Sequence, residues 1–297
     1  MTCQDSEANR YAGIDIGTNT ILMVIGERRG QYWNVISDHH AIARLGEGVD
    51  DAGLISEEAL NRAVTIIEDY RSILDGASVH HIRAAATSAV RDARNADFVL
   101  ASLSAACGAT VSVISGAEEA SLTFAGTVGR GPFPAGVCDI GGGSTELVFG
   151  TEGSVRESIS LQIGAVRLTE RWRRGECPRG TVALPPLDRF IPVEHWYGVA
   201  GTPVSLAMLD QEIVVYDGHR IDGYMLHRER VVALTEQLLE WPPEEMIDRG
   251  IPAARADILP AGAVILRGLM TSLGADRIEV STRGLRYGLM MTADRKK

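Results

Sequence analysis

The sequence predicts an α/β protein with two similar halves, each of the order βββαβαβα, around a central cleft. Two windows, residues 15–26 and 139–150, share one pattern in which a strand, a turn of small residues and a second strand follow each other. Apolar residues at helical spacing follow each window further along the chain. A segment rich in Gly and Pro, residues 129–134, separates the halves and is typical of an interdomain hinge.

The two windows match without gaps. Residues 15–26 read DIGTNTILMVIG and residues 139–150 read DIGGGSTELVFG, with identical Asp, Ile, Gly, Val and final Gly. In both, an apolar strand ends in Asp and a second apolar strand follows the turn. A nucleotide-binding βαβ unit or a P-loop would continue into a helix at this point. The windows therefore predict β-hairpins.

The elements of the first half follow from local patterns. Residues 32–36 predict a third strand, and residues 56–74 predict a helix that opens with Ser-Glu-Glu and repeats apolar residues about every 3.6 positions. The remaining expected elements are a strand at 81–86, a helix at 88–107, a strand at 111–114 and a helix at 117–128. This half is expected to form a domain over residues 1–128.

The second half, residues 129–297, repeats the scheme with an insertion. Residues 154–159 predict its third strand, and residues 173–192, which are rich in Arg, Gly and Pro, predict an insertion loop. The other expected elements are a strand at 193–200, a helix after Gly201, helices near 227–239 and 254–274, a strand at 277–282 and a final helix. Whether that helix packs back on the first domain stays open.

Composition excludes several chemistries. The chain of 297 residues has 29 basic and 39 acidic residues, which gives a formal charge of −10. Lysine occurs only at Lys296 and Lys297, so 29 − 2 leaves 27 arginines. A P-loop lysine, a Schiff-base lysine and a kinase-type strand lysine are therefore excluded. The acidic charge also argues against nucleic acid as a partner, because non-specific binding needs a broad basic surface.

The sequence predicts a cytoplasmic protein that does not span a membrane. Apolar runs stay short of the ~18 residues that a membrane helix needs. Residues 1–7 are acidic and lack the basic and apolar regions of a signal peptide. Four scattered cysteines, Cys3, Cys107, Cys138 and Cys177, form neither a CxxC pair nor a disulfide framework, which favours a reducing compartment.

The two glycine-containing turns predict phosphate binding. Consecutive backbone N–H groups in a turn of small residues form a nest for anions. The candidate phosphate ligands are Gly17, Thr18, Asn19 and Thr20 in the first loop and Gly141, Gly142, Gly143, Ser144 and Thr145 in the second. The structural alternative is a pair of hairpins whose aspartates cap their turns.

Carboxylates beside these loops predict a metal site. Asp15 and Asp139 end the strands before the loops, and Glu146 lies two residues after Ser144. Carboxylates next to phosphates are the ligands that a bridging Mg²⁺ requires, often through water. Mg²⁺ is the expected cofactor, with Mn²⁺ as the alternative.

Several stretches resemble one known family. They are RLGEGVD (44–50), AAATSAVRDARN (84–95), SGAEEASL (115–122), DIGGGSTELVFG (139–150) and ARADILPAG (254–262). In this order, together with residues 198–202, they resemble the exopolyphosphatase and guanosine pentaphosphatase (Ppx/GppA) family of the actin, Hsp70 and sugar-kinase superfamily. The resemblance covers about residues 11–290 and implies two actin-like (ribonuclease H-like) domains. The sequence departs from the family at the first loop, where serines are usual, and at Ser121, where arginine is usual.

The second of two adjacent glutamates is the candidate general base. Residues 115–118 fit the S-x-x-E capping box, in which Glu118 folds back to the helix start. Glu119, ~100° further around the helix, is then free to face the reactants. The resemblance also implies that the catalytic base is Glu119, and Glu118 is the runner-up. An exposed glutamate favoured by the helix dipole is the structural alternative.

Arginines are the candidate phosphate contacts among the side chains. The resemblance implies this role for Arg44 and Arg91, and less strongly for Arg94. Guanidinium groups bind phosphate oxygens in pairs and stay charged. Five more arginines at positions 167, 171, 173, 174 and 179 concentrate positive charge. This segment is either a solvated loop or an extension of a polyanion track.

The leading hypothesis is a Mg²⁺-dependent exopolyphosphatase that releases terminal phosphate from inorganic polyphosphate. The pentaphosphate pppGpp and nucleoside triphosphates are the rival substrates for the same chemistry. A phosphoryl transferase and a non-catalytic sensor of polyphosphate or nucleotides are the alternatives from other classes. Related folds often dimerise, so the resemblance leaves a homodimer open.

Overall fold

The computed structural model describes residues 9–30, 32–128, 134–151, 154–190 and 193–294. Contacts divide these residues into two compact units. The first contains the residues up to Ser115 and those from Arg286 onward, and the second is Gly116–Leu285. Each unit has one mixed β-sheet with helices. The predicted α/β fold class and its two-domain architecture are confirmed.

The first unit contains a five-stranded sheet. Its strands are β1 (Arg10–Ile16), β2 (Thr20–Arg29), β3 (Tyr32–Ile42), β4 (His81–Ala86) and β5 (Val111–Val113). They lie in the order β3-β2-β1-β4-β5. The first three strands are antiparallel to one another, and β4 and β5 run parallel to β1. The helices between these strands are α1 (Val49–Ala52), α2 (Glu57–Gly76), α3 (Ser88–Asp92) and α4 (Ala96–Cys107).

Helix α2 matches its prediction. The hydroxyl of Ser56 caps the helix by accepting from the backbone N–H of Ala59 at 3.2 Å. Glu57 and Glu58 lie in the first turn, where the helix dipole favours negative charge. The buried side of the helix consists of Ala59, Leu60, Ala63, Ile67, Tyr70 and Leu74.

The single helix predicted over residues 88–107 is wrong. The chain leaves the helical conformation at Ala93, which has an extended backbone, and α4 begins only at Ala96. The interruption lets two side chains hold a distant loop. Arg94 donates to the carbonyl of Ala52, and the Asn95 amide bonds both backbone polar groups of Ile55.

The second unit repeats the topology of the first. Its strands are β6 (Ala135–Ile140), β7 (Thr145–Thr151), β8 (Ser154–Leu161), β9 (His195–Val199), β10 (Met225–His227) and β11 (Arg277–Val280). The order is β10-β11-β9-β6-β7-β8, so β8-β7-β6-β9-β11 corresponds to β3-β2-β1-β4-β5. Strand β10 is an antiparallel addition at one edge and was not predicted, since three residues carry little periodicity.

The helices of the second unit differ from their predictions mainly in number. They are α5 (Gly116–Val128), α6 (Ala165–Arg173), α7 (Gly201–Asp210), α8 (Gly218–Ile221), α9 (Arg228–Glu240), α10 (Pro243–Asp248), α11 (Ala253–Ala256) and α12 (Leu259–Ser272). Helix α6 and the short α8 and α10 were not predicted, and α6 contains Arg167, Arg171 and Arg173 of the segment for which a solvated loop was one expectation. The helix predicted over 254–274 is two helices, because Pro260 opens a new first turn.

None of the helices among the described residues is long and apolar enough to cross a membrane. Cys107, Cys138 and Cys177 are free thiols, and Cys3 lies outside the described residues. Residues 1–7, which lack the basic and apolar regions of a signal peptide, also lie outside the described residues.

Helix α5 belongs to the second unit, whereas the sequence places it at the end of a domain over residues 1–128. It packs against β6, β7 and β8. Ala120 and Phe124 form an apolar cluster with Val137, Val148 and Val199 of these strands and of β9. This burial explains the grouping. The hinge predicted at 129–134 lies outside the described residues except for Pro134.

The C-terminal helix α13 (Leu285–Met291) packs on the first sheet from Arg286 onward. Arg286 makes two hydrogen bonds to the carboxylate of Asp38 on β3, at 2.8 and 2.7 Å. The hydroxyl of Tyr287 donates to the same carboxylate at 2.9 Å. Helix α13 also lies directly against Gly13 of β1, where a Cβ atom would overlap the backbone of Arg286 and Met290.

Replacing Gly13 by alanine tests this packing. Because the new methyl group meets backbone rather than a flexible side chain, α13 must shift, and we expect a loss of about 1–3 kcal/mol in unfolding free energy. Gly76→Ala is the matched control, since nothing lies within 4 Å of its Cβ position. Chemical denaturation measures both variants. Equal stability of the two variants would contradict the close contact.

Candidate active site

The first predicted phosphate loop is a tight β-hairpin turn between β1 and β2. Ile16 lies opposite Ile21 in the strand pairing, and the N–H of Gly17 donates to the carbonyl of Thr20 at 3.0 Å. The carbonyl of Asn19 accepts from the N–H groups of Ala43 and Arg44. The segment after β3 thus holds the loop from its carbonyl side.

The second loop, between β6 and β7, has the same construction. Ile140 lies opposite Thr145, and the N–H of Gly141 donates to the carbonyl of Ser144 at 3.0 Å. Register, loop length and closing hydrogen bond therefore match the first loop. The repeat predicted from the two sequence windows is present in the backbone.

The start of α6 anchors the second loop. The carbonyl of Gly142 accepts from the N–H groups of Val166 and Arg167 at 2.8 and 3.1 Å. The Nε of Arg167 donates to the carbonyl of Gly143 at 2.8 Å. Gly164 permits this approach, because a Cβ there would overlap the carbonyl of Gly142.

Loop side chains differ in what they contact. The hydroxyls of Thr18 and Ser88 lie 2.9 Å apart. The amide nitrogen of Asn19 is buried and has no hydrogen-bond partner among the described residues, so it is available to a ligand oxygen. The hydroxyl of Thr145 donates to the carbonyl of Ile163 at 2.6 Å, which serves the packing of the loop.

A cluster of three carboxyl groups lies beside the second loop. Asp139 and Glu146 face each other across the β6–β7 pairing. Glu119 of α5 is 7% exposed and interacts electrostatically with Glu146, which is 1% exposed. The predicted base and two predicted metal ligands therefore meet within one unit. We call Glu119, Asp139 and Glu146 the carboxylate cluster.

Hydroxyl groups hold the carboxylate cluster in place. Ser160 on β8 donates to Oε1 of Glu146 at 2.6 Å, and Ser144 of the loop bonds the same carboxylate. Thr123, one helical turn after Glu119, donates to Asp139 at 3.3 Å. Ser144, predicted as a phosphate ligand, thus also orients Glu146.

Burial makes the carboxylate cluster electrostatically unfavourable. Burial raises the pKa of Asp139 to about 6, although the hydrogen bond from Thr123 opposes the rise. Burial, followed by repulsion from Glu119 and Asp139, raises the pKa of Glu146 well above its usual range. The hydrogen bonds from Ser160 and Ser144 act in the opposite direction. A positive charge bound here would relieve this repulsion.

Asp15 occupies the position in the first unit that Asp139 has in the second. Its partner across the hairpin is Leu22, whereas the partner of Asp139 is Glu146. The two loops thus share a backbone and one aspartate, and only the second has a carboxylate pair. A metal-binding role for Asp15 stays a prediction.

The predicted phosphate-contact arginines have protein contacts of their own. Arg44 has a left-handed backbone with φ 50°, which is unusual outside glycine, and its side chain lies 3.4 Å from Glu47. Arg91 donates to the carbonyl of Ile114, next to the segment that leads into α5. Arg94 holds the loop at Ala52. A direct phosphate contact by Arg44 or Arg91 stays a prediction.

A family comparison agrees with this geometry. The model of the Ppx/GppA phosphatase family matches residues 24–296. The chain belongs to the Ppx/GppA phosphatase family.

Relatives match the chain over nearly its whole length. Exopolyphosphatase 2 of Mycobacterium tuberculosis is 34% identical, over 95% of this chain and 98% of that protein. The crystal structure of the Aquifex aeolicus Ppx/GppA member covers 96% of this chain and 97% of its own, with a TM-score of 0.77 and 28% identity. An exopolyphosphatase structure from Cytophaga hutchinsonii covers 97% and 99%, with a TM-score of 0.82 and 25% identity. The predicted resemblance to the Ppx/GppA family is confirmed.

Membership in the Ppx/GppA family suggests a divalent metal, and the carboxylate cluster fits one. In the part of the chain that the structure describes, no group of three His, Cys, Asp or Glu residues could hold a metal by itself. Mg²⁺ usually takes only one or two protein carboxylates and completes its shell with water and phosphate oxygens. Asp139 and Glu146 provide such a pair, and burial raises the pKa of both, with Glu119 and Asp139 adding to the rise at Glu146.

Sequence reasoning missed three residues of this Ppx/GppA site. Thr123 and Ser160 orient two carboxylates, and Gly164 lets α6 reach the loop. For Ser160, the strand pattern of the sequence could have revealed the contact. Ser160 lies opposite Glu146 in the β7–β8 pairing, but the strand was predicted to end at 159. The contacts of Thr123 and Gly164 depend on packing between distant elements.

The raised pKa of Asp139 predicts a pH-dependent stability. Its folded-state pKa of about 6 exceeds the ordinary 3.8. Above pH 6 the buried charge destabilises the metal-free protein by about 3 kcal/mol, at about 1.4 kcal/mol per pKa unit. This penalty disappears as the pH falls from 6 to 4, because the folded state binds the proton first.

Asp139→Asn should remove that penalty. In a chelator-containing buffer we expect the variant to be more stable than the wild type at pH 8, with the difference vanishing near pH 4. Thermal melts over this range measure it, with the exposed Asp69→Asn as the control. A variant that is less stable by the same amount at every pH would contradict the assignment.

Proposed function

We propose that this protein is an exopolyphosphatase that removes terminal phosphate from inorganic polyphosphate with the aid of Mg²⁺, or of Mn²⁺ as the alternative. The observation that supports this most directly is the buried Glu119 beside Asp139 and Glu146, next to a loop built for anions. Two of the similar proteins are named exopolyphosphatases.

Backbone, metal and arginine are the proposed means of holding the phosphate chain. Lysine is absent before position 296, so ammonium groups of the body of the chain take no part. Residues 18–20 and 142–144 would donate N–H groups to phosphate oxygens, while the N–H groups of Gly17 and Gly141 close the turns. The amide of Asn19 adds a side-chain donor to the first loop.

Asp139 and Glu146 are the residues that would hold the metal in the second unit, and Asp15 is the proposed ligand of the first. A bound divalent cation supplies charge neutralisation for phosphate oxygens. Ser160 and Ser144 keep the Glu146 carboxylate oriented through hydrogen bonds that favour its charged form. Thr123 does the same for Asp139.

Glu119 is the proposed general base. It is buried and lies within electrostatic reach of Glu146, one of the two proposed metal ligands of this unit. The carboxylate would accept a proton from a water that attacks the terminal phosphorus in line with the leaving phosphate oxygen. A sensor or binding protein would have no need to bury three carboxyl groups against one another.

Glu119→Gln tests the base. The change keeps the shape and removes the proton acceptor, so we expect kcat for polyphosphate to fall by about 10²–10⁴ with little change in KM. Phosphate release under saturating substrate measures it, with Glu118→Gln as the matched control on the preceding residue. If the Glu118 variant loses activity and the Glu119 variant keeps it, the two roles are reversed.

Substrate competition tests the reaction itself. Polyphosphate chains of defined length, pppGpp and ATP are supplied separately with Mg²⁺, and released phosphate is measured. The proposal expects the highest kcat/KM with polyphosphate. Preference for pppGpp or ATP would identify the corresponding phosphohydrolase instead. Transfer of phosphate to ADP without net release would identify a transferase, and binding without turnover would identify a sensor.

Gly164→Ala tests the loop as a phosphate holder. Because the added methyl group overlaps Gly142, the loop must move, and a shift of this kind costs about 10²-fold in kcat/KM. Steady-state kinetics and a thermal melt are measured together, with Gln162→Ala at a nearby exposed position as the control. Unchanged kinetics with a lowered melting temperature would show that the loop geometry matters only for stability.

A further inference from the structure

Three arginines of α6 form a line that starts at the second loop. Arg167, Arg171 and Arg174 are spaced i, i+4 and i+7, with Arg174 just after the helix end. This spacing puts them within about 60° of one another around the helix axis. The rise along the axis from first to last is about 10 Å. We call these three residues the α6 arginine row.

The row lies on the side of α6 away from the core. Ala165, Leu168 and Thr169 are the buried residues of the helix. The side chain of Arg171 is 38% exposed and that of Arg174 is 28% exposed. Solvent and solutes therefore reach these two guanidinium groups.

The first arginine joins the row to the loop. Arg167 donates from Nε to the carbonyl of Gly143, so its guanidinium lies against the glycine turn. Arg171 and Arg174 continue from that point along the helix. The line therefore runs from the proposed phosphate loop towards the end of α6.

The row keeps a positive charge after its neighbours are counted. Arg171 and Arg174 share one carboxylate, that of Glu176, which aligns them. The two arginines lower the pKa of Glu176, with Arg174 making the larger contribution. Glu170 also lies on this side of α6, about one turn from Arg167 and from Arg174, so three arginines against two acids leave a charge of +1. Arg173 points elsewhere and pairs with Asp257 at 3.1 Å.

We propose that the α6 arginine row binds internal phosphates of a long inorganic polyphosphate while its end lies at the second loop. The proposal rests on the proposed function and narrows its substrate class to long chains. A linear polyanion matches successive guanidinium groups on one helix face. A guanosine would instead require a surface for its base. The row contains no aromatic residue, and Trp172 packs against the core and donates to the carbonyl of Thr181.

The test compares a long polyphosphate with tripolyphosphate, which is too short to follow the helix. In the double variant Arg171→Gln/Arg174→Gln we expect KM for the long chain to rise about five- to tenfold, the size typical of two lost solvent-exposed charge contacts. KM for tripolyphosphate should change much less. The salt dependence of the long-chain KM should weaken, because fewer counterions are displaced.

Removing the acidic residue that pairs with the row should have the opposite effect on the KM for long polyphosphate. Glu176→Gln removes the carboxylate that Arg171 and Arg174 share, so we expect a lower KM for the long chain than in the wild type. Arg249→Gln is the control, since this exposed arginine of the second unit pairs with Glu245 within another helix. Equal long-chain KM values in the wild type and the double variant would overturn the arginine row.

Failure of the proposed function gives a different result. A wild type that hydrolyses neither polyphosphate would reject that function, whatever the row does. Binding of labelled long-chain polyphosphate to the same variants then decides the row separately. Weaker binding by the double variant supports it, and equal binding overturns it.

Discussion

Burial of three neighbouring carboxyl groups is the constraint on which the second unit is organised. Glu119, Asp139 and Glu146 come from a helix and two strands, and burial raises the pKa of Asp139 and of Glu146. Their burial follows from the close packing of α5 against β6, β7 and β8. Gly116 permits that packing, since a Cβ there would meet Ser160, the donor to Glu146. Burial of these carboxyl groups therefore lowers the local stability of the protein at a place where a positive charge would be stabilising.

The two units show how one hairpin design acquires different chemistry. Both loops close with the same hydrogen bond and both follow an aspartate. One residue across the pairing distinguishes them, because Leu22 buries an apolar side chain where Glu146 supplies a carboxylate. The supports differ as well: the segment around Arg44 holds the first loop and the start of α6 holds the second. The backbone of the hairpin is therefore common to both units, whereas the strand-paired carboxylates occur in the second unit.

The sequence predicts what depends on local pattern and misses what depends on packing. Hairpins, helix α2 and the loop residues follow from periodicity, capping and turn composition. The interruption between α3 and α4 does not follow from local pattern, because it depends on hydrogen bonds between the Asn95 side chain and the backbone of Ile55, 40 residues away in the sequence. Helix α5 was placed in the first domain because it precedes the Gly- and Pro-rich segment, whereas its packing against β6, β7 and β8 groups it with the second unit. Glu119 was identified through resemblance, and its burial beside Glu146 emerges only from the fold.

The return of α13 to the first sheet affects the order in which the protein can be completed during synthesis. Asp38 is translated 248 residues before Arg286, its partner on α13. The second unit is continuous in sequence and can close as soon as Leu285 has left the ribosome. The first unit stays incomplete until α13 has been made, because the residues from Arg286 onward belong to it. Until α13 is made, Tyr11 and Val24 of this sheet lack their apolar contacts with Tyr287 and Met290, and apolar surface exposed during synthesis favours aggregation.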